Sequence, residues 1–178
     1  MNLSLTIRHS MPNILYTLTL MVLGSLLLAI AAHLSIPLIP VPVTLQSVTV
    51  LFIGVIYGWQ LGLGVVMLYL LEGLSGLPVF ANATLFAPTC GYLFGFIPAV
   101  VITGFLMQHG WASKIYSAFL AACLGDLMIF ICGYLVLANF VGIHNAYIFG
   151  VKPFLMIELI KLIVLALLTP RFWRSCAD

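Results

Sequence analysis

The sequence predicts an all-α integral membrane protein of six transmembrane helices with a partly buried loop between the third and fourth, built as one membrane domain over residues 1–178. Three observations carry this. Of the 178 residues, 64% are apolar and 6% are Asp, Glu, Lys or Arg, against about a quarter charged in soluble domains. After Arg8 the next formally charged residue is Glu72, and the stretches onward to Lys114, Asp126 and Lys152 are again mostly apolar. At about 20 residues per helical crossing, six crossings with short connections fill this length. They leave no room within it for an ATP-hydrolysing domain. The six basic residues are scattered, with no run that could track nucleic-acid phosphates, so no nucleic-acid partner is expected.

The first crossing covers residues 13–34, uncharged throughout, and stops at Pro37, Pro40 and Pro42, which cannot continue a helix. Arg8 and Ala29-Ile30-Ala31 give this stretch some look of a secretory signal, but the run exceeds that signal's apolar core of about 7 to 15 residues. Residues 43–57 and 60–74 form the second and third crossings, separated by Gly58 and Trp59. Each is short enough that it must tilt or stop short of one surface. Residues 75–88 carry Gly, Pro and Asn without helical periodicity, yet stay apolar and uncharged, which makes a loop that dips into the protein. Residues 89–108, 112–138 and 152–170 supply the remaining crossings, the last opening at Lys152-Pro153 and closing at Pro170. With both termini cytoplasmic, Arg8, Lys114, Arg171 and Arg174 lie inside and Lys152 alone outside, which satisfies the positive-inside rule. Cys90, Cys123, Cys132 and Cys176 form no CxxC and have no His at ligand spacing, so they read as buried inert thiols.

Ionisable groups at membrane depth cost about 2.5 to 3.5 kcal/mol each on insertion scales, which marks them as functional candidates. Glu158 and Lys161 stand at i, i+3 on one face of the sixth crossing. They are either a structural ion pair or a ligand site. The ligand site is favoured, because burying an isolated pair gains little once desolvation is counted, whereas a Lys donor beside a carboxylate acceptor suits a ligand with a carboxylate and N–H groups. Asp126, mid-way along the fifth crossing, is read as a structural acid in preference to a ligand contact or proton site. Glu72 is expected at the interface, and His33 and the other histidines at helix ends.

Thr44 and Gln46 follow the proline cluster directly, and Asn82 and Thr84 sit in the dipping loop. A buried amide needs both donor and acceptor partners, which a heterocyclic amide or urea supplies as well as backbone does. Phe80, Phe86, Tyr92, Phe94 and Phe96 are candidates to wall an apolar pocket beside them. In the first crossing Ser25 and Ala29 make a small-xxx-small pair suited to close helix packing, either within the chain or against a separate membrane partner.

The segments IPLIPVPVTLQSVTVLFIG, GWQLG, GLSGLPVFA, APTCGYLFGF and GVKPFLMIELIK, which together span most of the chain, resemble the BioY family. That resemblance implies a six-helix S component of an energy-coupling factor transporter in a prokaryotic cytoplasmic membrane. Such a component captures biotin outside and works with a transmembrane T subunit and two ATPase subunits. No cofactor is implied in this chain, ATP being used only on the partners. The implied binding residues are Glu158, Lys161, Asn82, Gln46, Thr44, Tyr92 and Phe80. Glu158 would accept a ureido N–H, and Lys161 would give positive charge to the site or to the tail carboxylate. Ser25, Ala29 and His33 resemble the face by which S components meet the T subunit. The chain departs from the family where GPTGGY becomes APTCGY at Ala87 and Cys90, where the stretch after GLPVFA shortens to NATLF, and where Glu158 replaces the commoner Asp.

Two other functions compete with this one. A solitary biotin carrier would transport without energy-coupling subunits. An intramembrane enzyme built on Asp126, Glu158 and a histidine lacks a metal cluster, a nucleophile elbow or an acid pair at defined spacing. No GxxxxGK[ST] phosphate loop occurs in the sequence.

Overall fold

The structure, a computed structural model, describes residues 14–36, 38–81 and 88–175, with side chains up to Arg171. Four helices among these are long and apolar enough to cross a membrane: α1 (Ile14–His33), α2 (Gln46–Leu74), α3 (Cys90–Gln108) and α4 (Ile115–Val141). Two further helices are α5 (Ile143–Gly150) and α6 (Leu155–Ser175), and a 3-10 turn at Trp111–Ser113 links α3 to α4. By length and composition the count is therefore four, against the six expected. The expected second and third crossings share the single helix α2, and α6 carries Glu158, Lys161 and Arg171, which lower its hydropathy.

α2 is two helical arms joined at a kink rather than one straight helix. A straight helix would hold Gln46 and Tyr69, 23 residues apart, at opposite ends, separated by about 34 Å. Instead Gln46 Nε2 donates to the Tyr69 hydroxyl at 2.6 Å, so the chain doubles back. The reversal is at Gly58, whose φ of 72° and ψ of −179° belong to a region open essentially to glycine alone. The two arms then pack closely. A Cβ on Gly62 would stand 3.5 Å from Ile53 Cγ2 and 3.8 Å from Gly54 Cα. The expected break at Gly58-Trp59 is the position of this turn.

Other boundaries shift for local reasons. Val43–Thr44 pairs antiparallel with Ser35–Ile36 in a two-stranded ribbon, β1 (Ser35–Ile36) with β2 (Val43–Thr44), where a helix start was expected. Pro40 and Pro42 disfavour helical conformation in the residues before them, and the helix begins only at Gln46. Residues 143–150 form the separate helix α5, which apolar composition alone could not distinguish from a connection.

The core lies where α2, α3 and α4 meet, around Val50, Leu51, Val65, Val66, Ala99, Val100, Ala121 and Ala122. Small side chains there let the backbones approach closely. α1 packs on α2 through Gly24, Ser25, Leu28, Ala31 and Ala32, and turns Leu15, Leu18, Leu26 and Ile30 outward, as a lipid-facing surface requires. One end of the bundle gathers the ribbon, the start of α2, the first turns of α3 and α6 and the end of α4. The other end holds the Gly58 turn against Gln108 and brings Lys114 and Arg171 to one groove. Cys90, Cys123 and Cys132 are free and half-buried, where full burial was expected.

Candidate functional site

A cavity of about 70 Å³ lies at the ribbon end, bounded by the ribbon, α2, the segment at Phe80-Ala81, α3, α4 and α6. Its walls are mainly apolar and include Phe80, Tyr92, Phe96, Ile129, Phe130 and Phe154. The polar side chains in this lining are those of Thr44, Gln46, Ser47, Thr89, Tyr92, Asp126 and Glu158. An apolar pocket with a few convergent polar groups is the usual form of a small-molecule site.

Glu158 lies one turn inside α6 and is 6% exposed, with Lys161 one turn further at 8%. The Lys161 ammonium donates to Glu158 Oε1 at 2.7 Å, to the Thr44 carbonyl at 2.6 Å and to Ser47 Oγ at 3.1 Å. All three of its protons are thereby used. Ser47 Oγ in turn lies 2.9 Å from each carboxylate oxygen of Glu158. Satisfied in this way, a buried pair offsets much of its desolvation cost. Glu158 faces the cavity while Lys161 stands behind it, outside the lining. The cation also ties β2 to α6 through the Thr44 carbonyl.

A second set of bonds fixes the aromatic wall. Gln46 donates to Tyr69, and Tyr69 donates to the Val79 carbonyl at 2.9 Å. This holds the segment that delivers Phe80, whose ring meets Tyr69 edge-on with centroids 5.3 Å apart. Tyr92 donates its hydroxyl to the Gly150 carbonyl at 2.8 Å, so its ring walls the cavity while its polar tip anchors α5.

Of the residues expected to bind ligand, Thr44, Gln46, Phe80, Tyr92 and Glu158 line one cavity. Lys161 supports it from behind. Asn82, together with Thr84, Phe86 and Ala87, lies outside the described residues. Phe96 is in the wall, whereas Phe94 is 54% exposed and points away.

Ser25 belongs to the docking face expected on α1. That residue is 2% exposed and donates to Glu72 Oε1 at 2.9 Å, so it is turned onto α2. The small side chain is used for packing inside the chain. Ala29 is half-buried, and His33 is exposed with Nδ1 2.8 Å from the Ala29 carbonyl. Glu72, expected at a solvated interface, takes the Ser25 bond.

Ser47 was missed by sequence reasoning. Its only signal was a hydroxyl one residue after Gln46, and its importance comes from a partner 111 positions away. Asp126, expected to bond structurally to a neighbouring helix, instead lines the cavity, and its Oδ1 has no hydrogen-bond partner among the described residues. Among those residues no group of three or more His, Cys, Asp or Glu could hold a metal ion.

A sequence model described as the BioY family matches residues 4–178. The chain is 40% identical over 151 residues to the biotin transporter BioY of Thermotoga maritima, covering 82% of this chain and 88% of the relative. It is 34% identical over 140 residues to a probable biotin transporter BioY of Pyrococcus horikoshii, covering 76% and 82%. Its fold is similar to the crystal structure of the S-component for biotin from an ECF-type ABC transporter. The TM-score is 0.79 over 90% of this chain and 92% of that one, at 22% identity. With a family match running almost end to end and relatives above 30% identity over most of their length, the chain belongs to the BioY family.

Proposed function

We propose that this protein is the biotin-binding S component of an ECF-type transporter, capturing the vitamin in the ribbon-end cavity and relying on partner subunits for energy. The observation that carries the reading is the Glu158 carboxylate, held by Lys161 and Ser47 at the surface of an aromatic cavity. Biotin has two ureido N–H donors, a ureido carbonyl, an apolar thioether ring and a carboxylate on a flexible tail. Glu158 accepts a ureido N–H, and the Gln46 amide faces another ureido group. Asn82, next in sequence to the wall residue Ala81, is a candidate for the remaining one. The thioether ring packs on Phe80, Tyr92 and Phe96. Both acids among the lining residues repel an anion, and Lys161 does not reach the cavity, so the tail carboxylate points to the mouth.

Relatives of this chain carry the name biotin transporter, and the solved neighbour is an S-component. The partners are a transmembrane T subunit and two ATPase subunits in a prokaryotic cytoplasmic membrane. The chain crosses six times when the two arms of α2 count separately and α6 crosses with its ion pair neutralised internally. Lys114 and Arg171 at one end and Lys152 at the other favour cytoplasmic termini. Ala29 and His33, rather than Ser25, remain to meet the T subunit.

The test is equilibrium binding of labelled biotin to the purified chain in detergent, followed by uptake into cells with and without the partner subunits. Saturable, tight binding and partner-dependent uptake are expected. A folded sample that does not bind would end the biotin reading, and full uptake without partners would replace it with a solitary carrier.

A further inference from the structure

Among the described lining residues, Asp126 is the strongly polar one that the arrangement around Glu158 leaves unused. It is 5% exposed. Gln46, Ser47 and Glu158 each have a hydrogen-bond partner within the protein, whereas Asp126 Oδ1 has none among the described residues. Its position is at the floor of the cavity. The preceding residue, Gly125, packs against Leu51 of α2 and Ala99 and Thr103 of α3, and Leu51 is one helical turn deeper than the cavity residue Ser47. Thr103 Oγ1 also has no hydrogen-bond partner among the described residues, but Thr103 does not line the cavity. An unpartnered carboxyl in an apolar interior costs several kcal/mol whether charged or neutral, and an alkyl side chain at the same place would avoid that cost. A group facing a ligand cavity recovers it when the ligand brings the missing hydrogen bond.

We infer that Asp126 is a second ligand-binding carboxyl, which forms a hydrogen bond with the ureido ring of the bound molecule at the cavity floor and discriminates against ligands lacking that group. This rests on the biotin reading above. The ureido end is assigned because a tail carboxylate would meet two acids and no exposed cation there. An ionised Asp126 accepts from an N–H, and a protonated one donates to the ureido carbonyl.

The experiment compares Asp126→Leu and Asp126→Asn with the unsubstituted chain, all purified in detergent, by affinity for biotin and for its methyl ester and by melting temperature without ligand. Asp126→Leu is expected to weaken both ligands by the same factor, about tenfold or more, the loss of a hydrogen bond to a desolvated group. Its unliganded melting temperature stays equal or rises, since an unpaired buried polar group has been removed. Asp126→Asn, which retains an acceptor and a donor, keeps affinity within about threefold. If Asp126→Leu does not fold, Asp126→Ala supplies the same arm. Unchanged affinity in the alkyl variant, equal loss in Asn and Leu, or a loss seen with biotin but absent with its ester would overturn the assignment. Failure of the unsubstituted chain to bind biotin would instead reject the underlying function.

Discussion

Lys161 Nζ stands 2.7 Å from Glu158 Oε1 and directs its other protons to the Thr44 carbonyl and Ser47 Oγ, so the cation holds the carboxylate in place instead of facing the cavity. In the proposed binding site the lysine therefore acts indirectly. It holds the Glu158 carboxylate in orientation, and it ties the ribbon to α6 through the Thr44 carbonyl.

Removing Lys161 strands a buried carboxylate. Lys161→Ala should lower stability by about 3–5 kcal/mol and weaken biotin binding by about 1.5–3 kcal/mol, the worth of the charged hydrogen bond that a misplaced Glu158 carboxylate would lose. The double variant Glu158→Gln, Lys161→Met should regain much of the stability and none of the affinity. Thermal unfolding in detergent and biotin titration read the two effects separately, and unchanged affinity in Lys161→Ala would remove the lysine from the site.

Ser47→Ala takes one partner from Glu158 and one acceptor from Lys161 without changing charge. A loss of about 1–3 kcal/mol in biotin binding is expected, with a smaller fall in melting temperature than in Lys161→Ala. Equal falls would show that Ser47 serves packing alone.

Tyr69→Phe breaks the Gln46–Tyr69–Val79 chain. The Gln46 amide and Val79 carbonyl lose partners, at a cost of about 1–3 kcal/mol. The segment carrying Phe80 loosens, and bound biotin should leave faster with little change in association rate. Stopped-flow displacement of labelled biotin measures both rates.

Gly58→Ala should be destabilising, because φ of 72° with ψ of −179° is strained for any side chain and a Cβ would displace the flexible Gln108 amide. The backbone term alone is about 1–3 kcal/mol. Gly76→Ala is the control: its φ is 89°, but nothing lies within 4 Å of the new Cβ. Melting temperatures should fall more for Gly58→Ala, and equal falls would mean that the turn at Gly58 has no tight packing.

The membrane character, the break at Gly58-Trp59, the placing of Glu158 and Lys161 on one face of α6 and six of the lining residues, Thr44, Gln46, Phe80, Tyr92, Phe96 and Glu158, were legible in the sequence itself. Hydropathy, glycine conformational freedom and the cost of buried charge are local properties that can be read along a chain. Only the tertiary structure decided that α2 folds back so that Gln46 meets Tyr69, that Ser25 turns inward to Glu72, and that Lys161 stands behind Glu158 while Asp126 faces the cavity unpaired. Each of these depends on which helix packs beside which. Partners 47, 111 or 114 positions apart leave no trace in periodicity or composition, because the direction of a side chain on an apolar helix is set by its neighbours and not by its own sequence.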